Sequence, residues 1–331
     1  MPTPALSRGE RENRRQPAGG SRVAAVVTGA LRRAILRLSL SKRADKVQVV
    51  TAPEMLAKVR NLLPISTGAL QLLGLVGRPE TRNEDVIRII KQDSVLTAKL
   101  LRACNSPAVG LKEPVASVHH AVLLLGYSYI FRTVTALAFR DPLDVPLHAY
   151  GLGAKALWRH SLMAAYAAEM AVASGLNVGV DNSTAFTVGL LHDFGKLVTT
   201  QFLTREALIA VRERFTQGRS AVEAERDVLG TDHAEVGAAL LYLWRLPTQI
   251  VDAVGLHHQP VLTPQPGSSA LAWLANQVSH QAEARQSGQQ PCASAIDARV
   301  VDALGLNPEQ VEDFIGRAVQ AYQEGDEVLA A

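Results

Sequence analysis

The stretch GLLHDFGKL at 189–197 sets a histidine and an aspartate side by side in an otherwise apolar run, with Lys196 three residues beyond the aspartate. Leu190, Leu191, Phe194 and Leu197 recur at helical spacing and face a core, so His192 and Asp193 cannot both reach water. A buried carboxylate is costly unless it is paired or bound to a metal. Two kinds of chemistry follow. In one, Asp193 pairs with Lys196 one helical turn on, or accepts hydrogen bonds from neighbouring histidines, and the polar cluster only sets the packing of helices. In the other, His192 and Asp193 are metal ligands, and Lys196 is a catalytic candidate that positions a phosphate or neutralises developing charge.

Further donors lie in the same half of the chain. On its helix His160 shares a face with Leu157, Ala164, Ala167 and Ala171 and points inward. His233 begins a long helix, and His257 and His258 end the helix that follows Pro247. Histidines from four successive helices, one with an adjacent Asp, form a donor set for a divalent cation, with iron, manganese and zinc as the candidates. Such a cation can activate water for attack on phosphorus. Glu225, eight residues before His233, either orients a histidine or is a surface acid. His119 and His120 have no carboxylate near them and read as solvated or capping residues. Asn105 and Ser106 read as turn residues bonded to backbone, Cys104 as a buried small hydrophobe, and Trp158 and Trp244 as core.

Positioning these residues requires a stack of helices, and the rest of the sequence supplies one. From residue 48 onward apolar residues recur with helical periodicity between short Gly- and Pro-containing breaks, which predicts an all-α fold. Helices are expected over 53–62, 66–76, 83–91, 94–104, 117–125 and 127–139, then over 151–174, 182–193, 204–214, 220–228, 233–244, 247–257, 269–285, 297–304 and 308–323. Start signals agree: Asn83 precedes Glu84 and Asp85, Asp181 opens the helix leading to His192, and Pro308 with Glu309 opens the last. The break DPLDVPLHAYG at 141–151 separates two halves.

Of 331 residues, 47% are hydrophobic and 20% charged, ordinary for a packed protein with room for about two domains. The longest apolar runs fall short of the roughly 18–20 residues of a membrane span. The two cysteines, Cys104 and Cys292, lie far apart and fit a reducing cytoplasm better than a disulfide framework. Residues 1–46 hold eleven Lys and Arg against three acids, so they carry +8 of a formal +3 and the remainder carries −5. The body therefore gives no electrostatic support for binding nucleic acid. Within the tail, apolar residues at 23, 27, 30, 31, 34, 35 and 38 oppose Arg32, Arg33 and Arg37 in a basic amphipathic helix. Residues 22–43 are thus a candidate for docking on an anionic membrane surface, or alternatively for packing on their own domain.

The blocks LLPISTGALQLLGLV (62–76), IKQDSVLTAKLLRACNSPAVGL (90–111), PVASVHHAVLLLGY (114–127), AFTVGLLHDFGKLV (185–198), EAERDVLGTDHAEVGAALLYLWRLP (223–247) and HHQP (257–260) resemble the HDOD (HD-related output domain) family. That family is a branch of the HD and HD-GYP phosphohydrolase superfamily. The resemblance implies an all-α, multi-helix HDOD-type bundle with an N-terminal helical subdomain and an HD-like C-terminal subdomain. Expected boundaries are 1–47 for the basic tail, 48–145 and 146–290 for the subdomains, and 291–331 for C-terminal helices. It also implies a bacterial signal-transduction output module acting through protein partners, with metal candidates His160, His192, Asp193, His233, His257 and His258. Two departures argue against an enzyme. QPVLTPQPGSS after His258 contains no GYP loop, and Asn276 stands nearest to where the superfamily's closing Asp is expected. An amide cannot replace a carboxylate's charge. The alternative is a metal-dependent phosphodiesterase acting on a cyclic nucleotide second messenger. The expected location is cytoplasmic, with membrane-surface association through the tail compatible with it.

Overall fold

A computed structural model describes residues 65–78, 80–202, 205–260, 267–288 and 296–330. The basic segment 22–43, the helix expected over 53–62 and Cys292 lie outside the described residues. The first half contains α1 (Thr67–Leu73), α2 (Asn83–Gln92), α3 (Ser94–Cys104), α4 (Val118–Leu125) and α5 (Tyr127–Leu143). The second contains α6 (Ala156–Ala173), α7 (Asn182–Leu191), α8 (Phe194–Phe202), α9 (Arg205–Thr216), α10 (Ala221–Leu229), α11 (His233–Leu243), α12 (Thr248–Leu256), α13 (Ser268–Ser287), α14 (Ala298–Ala303) and α15 (Pro308–Ala330). Short 3-10 turns lie at Pro107–Val109 and His148–Tyr150. No β-strand occurs among the described residues, and the fold is all-α as the periodicity predicts.

Side-chain caps explain where several helices begin. Ser66, Asp93 and Ser117 accept from backbone N–H groups in the first turns of α1, α3 and α4. Ser220 and Glu223 form a reciprocal capping box on α10, and Asp232 Oδ1 accepts from Glu235 N at 2.9 Å on α11. Asp181 caps α7, its Oδ1 accepting from Thr184 N at 2.7 Å. Replacing Asp181 by Ala is therefore expected to lower unfolding stability by about 1 kcal/mol, with Asp181→Asn nearly neutral, as read by denaturant titration.

Four expectations about boundaries are corrected. The expected helix 182–193 ends at Leu191, and α8, absent from the sequence reading, begins at Phe194. His192 Nδ1 donates back to Gly189 O at 2.8 Å, which turns the chain at the HD pair. The helix expected from 151 starts at Ala156, because Lys155 adopts φ 65° and Leu147 and Leu152 pair in an antiparallel bridge just before it. The helices expected over 127–139 and 308–323 continue to Leu143 and Ala330.

The helices pack around two apolar clusters. The larger runs through both halves, with Phe131 and Phe139 of α5, Trp158 of α6, Phe186 of α7 and Phe194 of α8 all nearly or fully buried. Phe194 anchors the HD turn: its ring meets Phe139 edge-on at 5.5 Å and Trp244 at 5.5 Å. The smaller cluster joins α6, α7 and α13 to α14 and α15. Cys104 is fully buried, as expected, and burial pushes its thiol pKa up to about 11. Asn105 bonds to backbone, but to Val115, donating to its carbonyl at 2.9 Å and accepting from its N–H at 2.7 Å. No helix among the described residues is long and apolar enough to cross a membrane.

Candidate metal centre

Four helix ends and one helix face deliver the predicted residues to one place. His160 projects from the second turn of α6, His192 and Asp193 form the turn between α7 and α8, His233 opens α11, and His257 and His258 follow the end of α12. Asp193 lies at the centre and is 1% exposed, with His192, His233 and His257 fully buried. Its two oxygens face different partners. Oδ1 lies 3.2 Å from His233 Nε2 and 3.6 Å from His257 Nε2. Oδ2 lies 3.5 Å from His160 Nε2, 3.6 Å from His192 Nε2 and 2.5 Å from Lys196 Nζ. His258 Nε2 lies 2.9 Å from His233 Nε2. His119 and His120 are exposed on α4 and take no part.

Two glycines bring these elements close enough. A Cβ at Gly189 would stand 2.4 Å from Ala164 O, and one at Gly195 would stand 1.8 Å from His233 O. Hence α7 can lie against α6, and α8 against the start of α11, with backbone nearly touching backbone.

Each buried imidazole is held by its outer nitrogen. Nδ1 of His192 donates to Gly189 O at 2.8 Å, and Nδ1 of His257 to Val254 O at 2.7 Å. Nδ1 of His233 meets Glu225 Oε2 at 2.8 Å, and Nδ1 of His160 meets Glu283 Oε2 at 3.1 Å. This assignment, made from the hydrogen-bond network, turns the Nε2 atoms inward. Carboxylate or carbonyl partners on the far nitrogen are how metal-ligating histidines are oriented. Glu225 is thus the orienting acid, not a surface one. It is fully buried and accepts from His233 N at 2.7 Å and from Tyr150 Oη at 2.5 Å as well.

The charges agree with a site for a cation. Burial opposes ionisation of Asp193, yet the Lys196 ammonium beside it holds its carboxyl well below the usual carboxylate range. Burial pushes His192, His257 and His258 below the usual imidazole range, leaving them neutral. His233 differs: burial lowers its pKa, but the Glu225 and Asp193 carboxylates together outweigh this and raise it to about 9, so a cation bound here would take the place of a proton on its ring. Tyr150 stays protonated, because burial and Glu225 raise its pKa well above the phenol value.

Two observations test whether the donors fit a divalent cation. Asp193 Oδ1 and His257 Nε2 are buried with no hydrogen-bond partner, although both point at the centre. His160 and His192 bring Nε2 to within 3.2 Å of Nε2, an arrangement of facing lone pairs that a cation relieves. Two groups of donor atoms share Asp193, one with His160 and His192, the other with His233, His257 and His258. The donor set fits. Asn276 of α13 stands at the same place, its Oδ1 3.1 Å from His160 Nε2.

The sequence reading missed three contributors. Glu283 and His280 continue the inward face of α13 from Asn276 at helical spacing, a signal available in the periodicity. They form a further candidate donor group with His160. Tyr150 comes from the junction between the halves, where no pattern marks it. A cleft of about 630 Å³ leads to the centre, lined by Lys196, His258, His280, Glu283, Phe215 and Gln277 among others.

An all-α stack whose buried His and Asp side chains converge at a helix turn defines a protein of the HD type. Residues 62–260 match the model of the HDOD domain, and the chain belongs to that family. An uncharacterized protein of Treponema pallidum (strain Nichols) is 26% identical over 218 residues, which is 63% of this chain and 40% of that protein. The chain therefore spans about 40% of the length of this curated relative. Among solved structures, an HDOD domain protein with unknown function from Geobacter sulfurreducens superposes with a TM-score of 0.63 at 22% identity, over 83% of this chain and 97% of that one. A protein of Marinobacter aquaeolei VT8, provisionally described as a signal transduction protein, gives a TM-score of 0.67 at 22% identity over 92% and 65%. A protein of Shewanella amazonensis SB2B, provisionally described as a phosphohydrolase, gives 0.62 at 20% identity over 83% and 97%.

Proposed function

We propose that this HDOD protein is a signalling module acting through protein partners, whose His–Asp centre carries a divalent cation at the base of a ligand-accessible cleft. The observation that carries the cation is the convergence of inward Nε2 atoms on a carboxylate with an unpartnered oxygen. His233, His257 and His258 would hold it with Asp193 Oδ1, and His160 and His192 with Oδ2. Imidazole and carboxylate together suit iron, manganese or zinc. Partners are signalling proteins, and a tail docked on an anionic membrane surface is compatible with this role. Elemental analysis of protein purified without chelator tests the reading: near-stoichiometric iron, manganese or zinc, removed by chelator with a fall in melting temperature, is expected. Folded protein that carries no metal, and takes none on addition, overturns it.

The alternative, a metal-dependent phosphodiesterase acting on a cyclic nucleotide second messenger, draws on one observation: Lys196 lines the cleft beside Asp193. A bound divalent cation supplies Lewis-acid polarisation of a phosphoryl oxygen. Lys196 would hold a phosphate oxygen and balance the charge that develops on it. Against this stands Asn276, where a carboxylate is expected. For the enzyme reading, Lys196→Met is expected to lower turnover of a cyclic nucleotide by about 100-fold or more while metal content persists. No turnover by metal-loaded wild type leaves the regulatory role alone.

A further inference from the structure

The loop that joins the two helical halves ends in a small closed clasp. Leu147 N donates to Leu152 O at 2.9 Å and Leu152 N returns the bond to Leu147 O at 3.2 Å, enclosing the 3-10 turn His148–Tyr150. Gly151 takes φ 70°, a left-handed conformation that glycine adopts at little cost, and so closes the turn. Leu147, Ala149 and Tyr150 are buried, and Arg212 of α9 donates to His148 O at 3.3 Å from outside. This is an over-determined loop, and it aims one polar side chain at the metal centre.

That side chain is Tyr150. Its hydroxyl donates to Glu225 Oε1 at 2.5 Å, and Glu225 in turn accepts from both the backbone N–H and the Nδ1 of His233. The Tyr150 ring also lies 5.9 Å from Lys196 Nζ, the cation that competes for Asp193 Oδ2. A continuous path therefore runs from the inter-half loop through Tyr150 and Glu225 to the ring nitrogen of His233 and on to Asp193. Both oxygens of Glu225 face His233 Nδ1, Oε1 at 3.0 Å and Oε2 at 2.8 Å, and the hydroxyl donor on Oε1 tempers how strongly Glu225 draws on the Nδ1 proton.

We infer that Tyr150 is a positioning residue of the metal centre, and that through it the cation and the inter-half loop sense one another. The inference rests on the proposed metal site and extends it to a route by which occupancy is relayed between the halves. Coupling of this kind is reciprocal: whatever the loop contributes to cation affinity, the cation returns as order in the loop.

Cobalt(II) is the probe, because its visible absorption reports the ligand field directly. The full chain is titrated against a competing chelator as wild type, Tyr150→Phe, Glu225→Gln and the double variant, with hydrogen exchange of the Leu147 and Leu152 amides followed with and without Co²⁺. Expected for Tyr150→Phe are a roughly tenfold weaker Co²⁺ affinity, a shifted absorption band, and loss of the Co²⁺-dependent protection of the clasp, with helical content retained. Glu225→Gln is expected to weaken binding at least as much, and the double variant no further, since both act through one path. A Tyr150→Phe variant with wild-type affinity, spectrum and protection overturns the inference while leaving the metal centre in place. Wild type that takes up no Co²⁺ overturns the metal reading and this inference with it. Should Tyr150→Phe lose its helical content, the Glu225→Gln spectrum and clasp protection decide: wild-type values in both sink the relay.

Discussion

Asp193→Ala is expected to abolish metal loading and to cost about 3–5 kcal/mol of folding stability, the range for breaking a buried charge cluster by removing one partner. The carboxylate is 1% exposed and faces four imidazoles as well as Lys196, whose side chain is 12% exposed. Its removal leaves Lys196 partly buried without its counter-ion, and takes from His233 one of the two anions that flank it. Asp193→Asn separates the two effects. It keeps the shape and loses the charge, so it is expected to lose the metal as fully as Ala does while unfolding at a higher denaturant concentration. The second reading concerns chelator. A ligand that binds only the folded state raises stability with its concentration over its dissociation constant. Wild type is therefore expected to melt lower after chelation, and both variants to be indifferent to it. An Asp193→Ala protein with wild-type metal content places the cation elsewhere.

Much of the centre was legible from residue types alone. His192 and Asp193 announce themselves by sitting in an apolar run, and His160, His233, His257 and His258 by occurring at helix ends or on an inward face. Each of these reaches the centre. What the sequence could not convey is the direction of each ring. Whether His233 presents Nδ1 or Nε2 depends on Glu225, which sits on α10 between a capped start at Ser220 and a left-handed Gly230 at φ 69°. The helix periodicity located the elements but not their breaks. The apolar run through 182–198 continues across the HD pair, so hydrophobic spacing hides the turn that puts Asp193 at the focus of the site. Tyr150 was invisible for a different reason: its loop carries no period, and its burial results from contacts with α9 and α10, both distant in sequence.

Asn276 and Glu283 set the charge that α13 brings to the centre. The amide supplies no charge, but Glu283, two turns further along the same helix face, accepts from Nδ1 of His160 at 3.1 Å and is itself paired with Arg159 at 3.3 Å. Burial opposes its ionisation, yet His160 beside it keeps its pKa below the usual range. The negative charge on α13 thus sits where it orients a histidine, while the uncharged amide stands beside the ring's inner nitrogen.

The close approach at Gly195 makes the strongest demand on sequence outside the centre itself. A methyl group there would overlap His233 O at 1.8 Å and crowd Gly237 N at 2.8 Å, and both obstacles are backbone, which has no rotamer to yield. Gly195→Ala must therefore push α8 and α11 apart. The cost is expected at or above about 3 kcal/mol, the upper end of overpacking. Because His233 opens α11, the same displacement withdraws it from Asp193 Oδ1, now 3.2 Å away, so any folded fraction should hold metal weakly. Gly316, inside α15 with nothing within 4 Å of where a methyl would stand, supplies the contrast. Gly316→Ala is expected to gain about 0.5–1 kcal/mol from helix propensity and to leave metal content alone. Denaturant unfolding and elemental analysis of the pair decide the matter. If Gly195→Ala matched wild type in both, the spacing of α8 and α11 would not be what fixes His233 on Asp193, and the convergence of the histidines would have to be held by their outer hydrogen bonds alone.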